Sequence, residues 1–167
     1  MESNNLVDIP EYEGIYKFDL VLNQVYNIKR NTYKKNGLSK KGYYRVSLSN
    51  NIKEKTYGIH QLVYMCNNPT EDISDYQIDH IDNNKLNNKI ENLRKCSASD
   101  NQSNRKTRID NKSTGYKNIV KTKYNTYKFE LRKNGIRYNK SFKSLAEAIE
   151  YRNIKVKEIN GEFANLG

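Results

Sequence analysis

The sequence predicts an α+β chain built from small modules, and three observations carry that prediction. Apolar residues recur at helical spacing over 59–67 and 144–161, strict alternation runs through 127–132, and an Asn-rich stretch over 76–104 breaks any regular period. Only 35% of the 167 residues are hydrophobic, so one large core is not expected. Tyrosine occurs 14 times and tryptophan not at all. Tyrosine suits small, half-buried sheets because it packs on one side and keeps a polar tip.

The first 30 residues read as irregular chain with short strands, since "IPEYEGIYKF" sets a Pro and a Gly turn between apolar positions. Two strand-like runs, around Tyr43–Leu48 and Lys55–Ile59, flank the polar hairpin loop "SNNIKE". "IHQLVYMCN" places Ile59, Leu62, Val63 and Cys66 on one helical face and stops near "NNPT". Residues 105–115, "RKTRIDNKSTG", are basic and aperiodic and read as a linker. Beyond it, "GYKNIVK" reads as a short strand. "TYKFELR" turns Tyr127, Phe129 and Leu131 to one face and Lys128, Glu130 and Arg132 to the other. "KNG" is a turn and "IRYNKSF" the return strand. Ser144 with Glu147 forms a capping-box signature, Leu145, Ala148, Ile149, Val156 and Ile159 make an apolar stripe, and Gly161 ends the helix.

The net charge of +11 is unevenly spread. Residues 1–28 hold one basic side chain against five acids, whereas 29–55 and 113–143 each hold nine against one. Such blocks favour a polyanionic partner, nucleic acid ahead of an anionic membrane. Cys66 and Cys96 form no C-x-x-C pair and read as unpaired thiols of a reducing compartment. With no apolar run of transmembrane length and no signal-peptide pattern, a soluble intracellular protein is expected.

The Asn-rich stretch "YQIDHIDNNKLNNKIENLRKCSASDNQSN" holds one of only two histidines, set directly after an aspartate. The Asp79 carboxylate is a hard oxygen ligand of the kind magnesium or manganese takes. The His80 imidazole accepts a proton near neutral pH. Neighbouring side chains on a strand point to opposite faces, so both reach one site only at a strand end or in a loop. The Asn92 amide offers two donors and an acceptor, enough either to hold that loop shut or to fix the histidine tautomer. Asn101 follows in a segment that Ser97 or Ser99 can cap as a short helix, and its amide oxygen is a candidate second metal ligand.

These residues resemble the HNH endonuclease motif, in its phage-type form with Asn as the last motif residue. The match comprises Asp79-His80, Asn92-Leu93-Arg94, Ser97 and Asn101. The resemblance implies a two-strand hairpin and helix that clasp one divalent cation, Mg2+ or Mn2+, against a DNA phosphate. Asp79 and Asn101 would ligate the metal, His80 would be the general base and Asn92 would brace the loop and orient His80. "IPEYEGIYKF" resembles the short NUMOD4-type module that often precedes such nucleases, although no Trp opens it. His60 fits a recurrent His before a Leu-Val helix, for packing or a phosphate contact.

Residues 113–166 resemble the AP2-type DNA-binding domain, in which a three-stranded sheet enters the major groove, although Lys140 stands where a Gly usually precedes Ser141-Phe142. Lys117, Lys121, Lys123, Lys128, Arg132, Arg137 and Lys140 are then candidates for the exposed sheet face. Arg132 and Arg137 are the better matches for guanine edges. Arg94 in the motif, and Arg105 and Lys106 in the linker, join them as DNA-contact candidates.

The fold expected is thus a small ββα-metal nuclease module with an N-terminal β-rich extension, plus a C-terminal three-stranded sheet packed on one helix. The expected boundaries are 1–58, 59–104, a linker over 105–115, and 116–167. The expected function is metal-dependent hydrolysis of double-stranded DNA by a monomer or weak dimer, without membrane. A non-catalytic DNA-binding protein competes with this, and an RNA-binding protein more weakly. Neither accounts for Asp79, His80, Asn92 and Asn101 together.

Overall fold

The computed structural model of the chain describes residues 5–50, 52–104 and 113–166. Arg105, Lys106 and most of the expected linker lie outside the described residues. The architecture is α+β, with several small sheets and few helices. It divides into two compact units, Met1–Lys95 and Cys96–Gly167. The division falls inside the 59–104 segment that the sequence suggests as one piece.

In the first unit, β1 (Leu6–Asp8), β2 (Tyr16–Asp19), β3 (Gln24–Asn27) and β4 (Thr32–Tyr33) form an antiparallel meander in that order. Asp19 pins the β2–β3 turn. One carboxylate oxygen accepts from the N–H groups of Val21 and Leu22 at 3.0 and 2.9 Å, and the other accepts from the Tyr33 hydroxyl at 2.7 Å. A second sheet joins β5 (Gly37–Leu38), β6 (Tyr44–Ser49) and β7 (Glu54–Gly58).

The chain runs from β7 directly into α1 (Ile59–Asn67). Its buried face is Ile59, Leu62, Val63 and Cys66, as the helical spacing requires. Burial pushes the Cys66 thiol up to about 12, so it is inert at neutral pH. A two-stranded sheet of β8 (Gln77–His80) and β9 (Leu93–Cys96) completes the arrangement.

One core connects these parts. Ile9, Tyr12, Phe18, Val25 and Leu48 pack with the α1 face and with Ile78 and Leu93. The two apolar anchors, Ile78 and Leu93, stand immediately before Asp79-His80 and immediately after Asn92. Close packing therefore fixes the backbone of the motif from both strands.

In the second unit, α2 (Ala98–Asn104) starts at Ser97, whose hydroxyl accepts from the Asp100 N–H at 3.1 Å and donates to its carboxylate at 2.6 Å. β10 (Ile119–Lys121), β11 (Tyr127–Lys133) and β12 (Ile136–Phe142) form an antiparallel sheet in that order. Asn134 and Gly135 both take positive φ, +49° and +82°, the two left-handed residues a tight hairpin needs.

The long α3 (Leu145–Asn160) packs on this sheet, with Tyr151 edge-on to Phe129 at 5.5 Å. Its deepest stripe is Ala148, Arg152, Val156 and Asn160, at every fourth residue. The apolar stripe expected from sequence is thus only partly right, since Leu145, Ile149 and Ile159 are half-buried. Arg152 can be buried because its guanidinium lies over the Tyr116 ring, 5.5 Å from the centroid, and donates to the Asn153 side chain at 2.9 Å.

Ser144 caps α3 by accepting the Glu147 N–H at 3.2 Å. Ser144→Ala should cost ~1 kcal/mol and lower the melting temperature of the full chain by roughly 2–4 °C, as read by circular dichroism. An unchanged melting temperature would mean the cap is idle. No helix among the described residues is long and apolar enough to cross a membrane.

Candidate active site

The concentration of asparagine has a structural cause in the loop between β8 and β9. Asn92 is buried and makes three hydrogen bonds from one amide. Its oxygen accepts the Asp82 N–H at 3.1 Å, while its nitrogen donates to the Asp82 carboxylate at 2.9 Å and to the Asn87 carbonyl at 2.8 Å. Asp82 also accepts from the Asn84 N–H at 2.7 Å and from the Asn87 amide at 2.8 Å. The Asn87 amide first, then the Asn84 N–H and Asn92, hold the Asp82 carboxyl below its ordinary range. The carboxylate stays charged at neutral pH, and this contribution is lost only as pH falls through that lowered value. Asn83 turns the chain at φ +61°, a conformation that asparagine tolerates better than most residues. The loop is therefore a closed amide–carboxylate network, which a charged or apolar sequence cannot supply.

This network positions His80. The imidazole is buried, at 4% exposure, and its Nε2 meets the Asn88 amide oxygen at 3.1 Å. An amide oxygen only accepts, so Nε2 carries the proton and Nδ1 bears the basic lone pair. The Asn88 nitrogen points the other way, to the Leu86 carbonyl at 3.5 Å. Asn92 thus braces the loop, while Asn88 holds the ring. Sequence reading did not single out Asn88. Nothing in composition distinguishes one asparagine here from its neighbours.

Asp79 is buried beside His80. Arg94 on β9 grips the Asp79 Oδ2 through Nε at 3.2 Å and Nη2 at 3.1 Å. Arg94, a DNA-contact candidate from sequence, is therefore committed at least in part to the carboxylate. The two side chains keep only 12% and 8% exposure, so the pair is largely desolvated. Its effect is to hold the Asp79 carboxylate in one orientation.

A second histidine adjoins the first. The His60 ring centroid lies 5.0 Å from that of His80, and Tyr43 closes a three-ring cluster at 5.2 Å from His60 and 5.9 Å from His80. Burial first, then the positive fields of His80 and Arg45, lower His60 to about 4. Its ring is therefore neutral at physiological pH.

The remaining candidates belong to the second unit. Asn101 sits on α2, its N–H bonded to the Ser97 carbonyl at 3.0 Å. Asp100 accepts the buried Lys133 ammonium. Lys117 does not lie on an open surface as the sequence suggests. Its half-buried amine donates to the Ser103 carbonyl at 2.6 Å, caps the end of α2, and is lowered by that burial to about 8. The sheet register divides the others. Phe129 pairs with Lys140, and Tyr127 with Lys121, so both lysines are on the α3 side, with Lys140 4.6 Å from the Tyr151 ring centroid. Lys128, Arg132 and Arg137 share the open face, where Arg132 and Arg137 are direct partners. Glu130 lies among them, 2.6 Å from Lys128 and 3.6 Å from Arg137. Lys123 is exposed in the β10–β11 turn.

The buried Asp79 carboxylate is a hard oxygen donor of the kind magnesium or manganese takes, and no group of three or more His, Cys, Asp or Glu that could hold a metal occurs among the described residues.

Residues 57–103 match the HNH endonuclease family model. An uncharacterized HNH endonuclease of Acanthamoeba polyphaga mimivirus is 35% identical over 107 residues, which is 64% of this chain and 54% of that protein. The DNA endonuclease I-HmuI of Bacillus phage SP01 is 38% identical over 89 residues, 52% of this chain and 49% of that one. The chain thus spans about half the length of these relatives. The solved structure of the HNH homing endonuclease I-HmuI, described as binding and cleaving DNA, superposes with a TM-score of 0.53 and 27% identity, over 92% of this chain and 87% of that one. A closed asparagine loop, a buried Asp-His pair and this match place an HNH endonuclease domain at residues 57–103, in a chain homologous to I-HmuI.

Proposed function

We propose that the chain is a homing-type HNH endonuclease that hydrolyses phosphodiester bonds of duplex DNA. The observation that carries this reading is the His80 ring, held by Asn88 with Nδ1 as its basic nitrogen, beside the buried Asp79. His80 takes a proton from water as the water oxygen bonds to phosphorus. The bond from phosphorus to the 3′ oxygen breaks and that oxygen takes a proton from solvent, leaving a 5′ phosphate and a 3′ hydroxyl. Asp79 and Asn101 would hold a divalent cation, Mg2+ or Mn2+, and Arg94 orients Asp79. A bound cation would polarise the phosphate and stabilise the leaving oxygen. Asn92 keeps the loop closed so that His80 stays in place.

Site preference comes from the basic flanks. The second unit acts as an AP2-like reader whose open face presents Lys128, Arg132 and Arg137. Lys123, with Arg105 and Lys106, adds phosphate contacts. The protein acts as a monomer or weak dimer on double-stranded DNA.

Chelation tests the metal-dependent reading. EDTA should abolish conversion of supercoiled plasmid while gel retardation persists, and DNA ligase should reseal the metal-dependent nicks. Cutting in EDTA, or ends that ligase cannot join, would contradict it. For the reader, Arg137→Ala should cost about 1–3 kcal/mol on a preferred site recovered from a randomised duplex pool, and should relax one base position. Lys128→Ala should weaken all sequences alike. Equal losses on every sequence for both variants would remove base reading from this face.

A further inference from the structure

We propose that His60 is a second DNA-contacting histidine, which donates a hydrogen bond to a phosphate of the strand held at His80. This rests on the endonuclease reading above. Three observations carry it.

The first is where the ring lies. His60 lines an open cleft of about 480 Å3 together with Ser39, Lys40, Lys41, Arg45 and Gln61. Three of these side chains are cationic and none is acidic. Lys40, Lys41 and Arg45 are exposed. They belong to the basic 29–55 block, whose charge the proposed nuclease chemistry leaves unused. The cleft adjoins the candidate active site, because the His60 and His80 ring centroids are 5.0 Å apart. Charges on one DNA strand recur about every 3.4 Å of helix axis, so a strand placed at His80 runs a neighbouring phosphate past His60.

The second is the state of the ring. Neither nitrogen of His60 makes a hydrogen bond to another described residue, and its contacts are to the Tyr43 and His80 rings. A histidine placed for packing alone normally has a partner for its N–H. A neutral imidazole keeps one N–H, and a phosphate oxygen is a strong acceptor for it.

The third is Gly58. Its backbone is ordinary, at φ −71° and ψ 143°, so no conformational demand calls for glycine. The ring does call for it. A Cβ at 58 would lie 2.4 Å from His60 Cε1 and 2.8 Å from Nδ1. The missing side chain gives the imidazole its seat at the wall of the cleft. The cleft rim is itself tied to the motif loop, because Lys85 donates to the Lys41 carbonyl at 2.9 Å and lies over Tyr43.

The test is fluorescence anisotropy with a labelled 30-bp duplex in EDTA, using the full chain. His60→Ala should weaken binding by about tenfold, the value of one hydrogen bond to a charged group, with its salt dependence unchanged because a neutral ring releases no counterion. His60→Gln should restore most of the affinity. The double variant Lys40→Ala/Lys41→Ala should instead flatten the slope of log K against log salt by roughly two. Imidazole 15N shifts of the wild type provide a reading that no folding defect can blur, and His80→Ala assigns the two histidines. His60 should shift when duplex is added. Unchanged binding by His60→Ala, or a His60 resonance indifferent to DNA, overturns the proposal. Wild-type protein that binds DNA yet never cuts would sink the endonuclease reading separately.

Discussion

His80→Ala should lower the cleavage rate by about 10²–10⁴-fold, the span that a positioned general base supplies, while DNA binding stays near that of the wild type. The size of the effect follows from the preparation of the ring. Its tautomer is set by Asn88, its backbone by Ile78, and its loop by Asn92 and Asp82. Removing the imidazole takes away the proton acceptor but no strand anchor. Single-turnover rates on a nicked or cut duplex, with binding measured in parallel, read the two quantities apart. A variant that retained more than a tenth of the wild-type rate would show that another group accepts the proton. Asn88→Ala should fall between the two, because it frees the tautomer without removing the ring.

The second large effect concerns Asp79 and Arg94. Arg94→Ala strips a largely buried carboxylate of its guanidinium, and breaking such a pair costs about 3–5 kcal/mol. The melting temperature of the chain should drop on the order of 10 °C. Asp79→Asn should act differently. It keeps the shape and an oxygen for Arg94 but removes the charge that a divalent cation needs. Cleavage should vanish at any magnesium concentration, while the melting temperature moves far less than in Arg94→Ala. If Asp79→Asn cuts DNA normally, Asp79 is a structural partner of Arg94 and not a metal ligand.

Much of this was legible in the sequence where a local rule governs the outcome. Residues 59–67 form a helix because four apolar side chains recur at its period. Ser144 caps α3 because its hydroxyl meets the Glu147 N–H, and Asn134-Gly135 turns because both residues accept positive φ. The Asp79-His80 pair stands out in the sequence because two side chains of distinct chemistry are adjacent there.

What escaped needs distances between residues far apart in the chain. Arg94 meets Asp79 across 15 positions of sequence. Asn88 and Asn92 have the same side chain, and only the three-dimensional network separates a ring-holding amide from a loop-closing one. The polar stripe of α3 defeated hydrophobic periodicity, since Arg152 and Asn160 are buried where apolar residues are expected. Strand register, which no single strand reveals, put Lys121 and Lys140 on the α3 side of the sheet. His60 carried signals in the sequence, its recurrent place before a Leu-Val helix and its position beside a basic block, but its meeting with His80 is tertiary.

The central claim is that the Asp79-His80 site hydrolyses DNA. Its most direct test is relaxation of supercoiled plasmid by wild type and His80→Ala, each in magnesium and in EDTA. Open circular or linear product from wild type with magnesium alone, and intact plasmid in the other three reactions, is the predicted result. Equal conversion by His80→Ala, or conversion in EDTA, would contradict it.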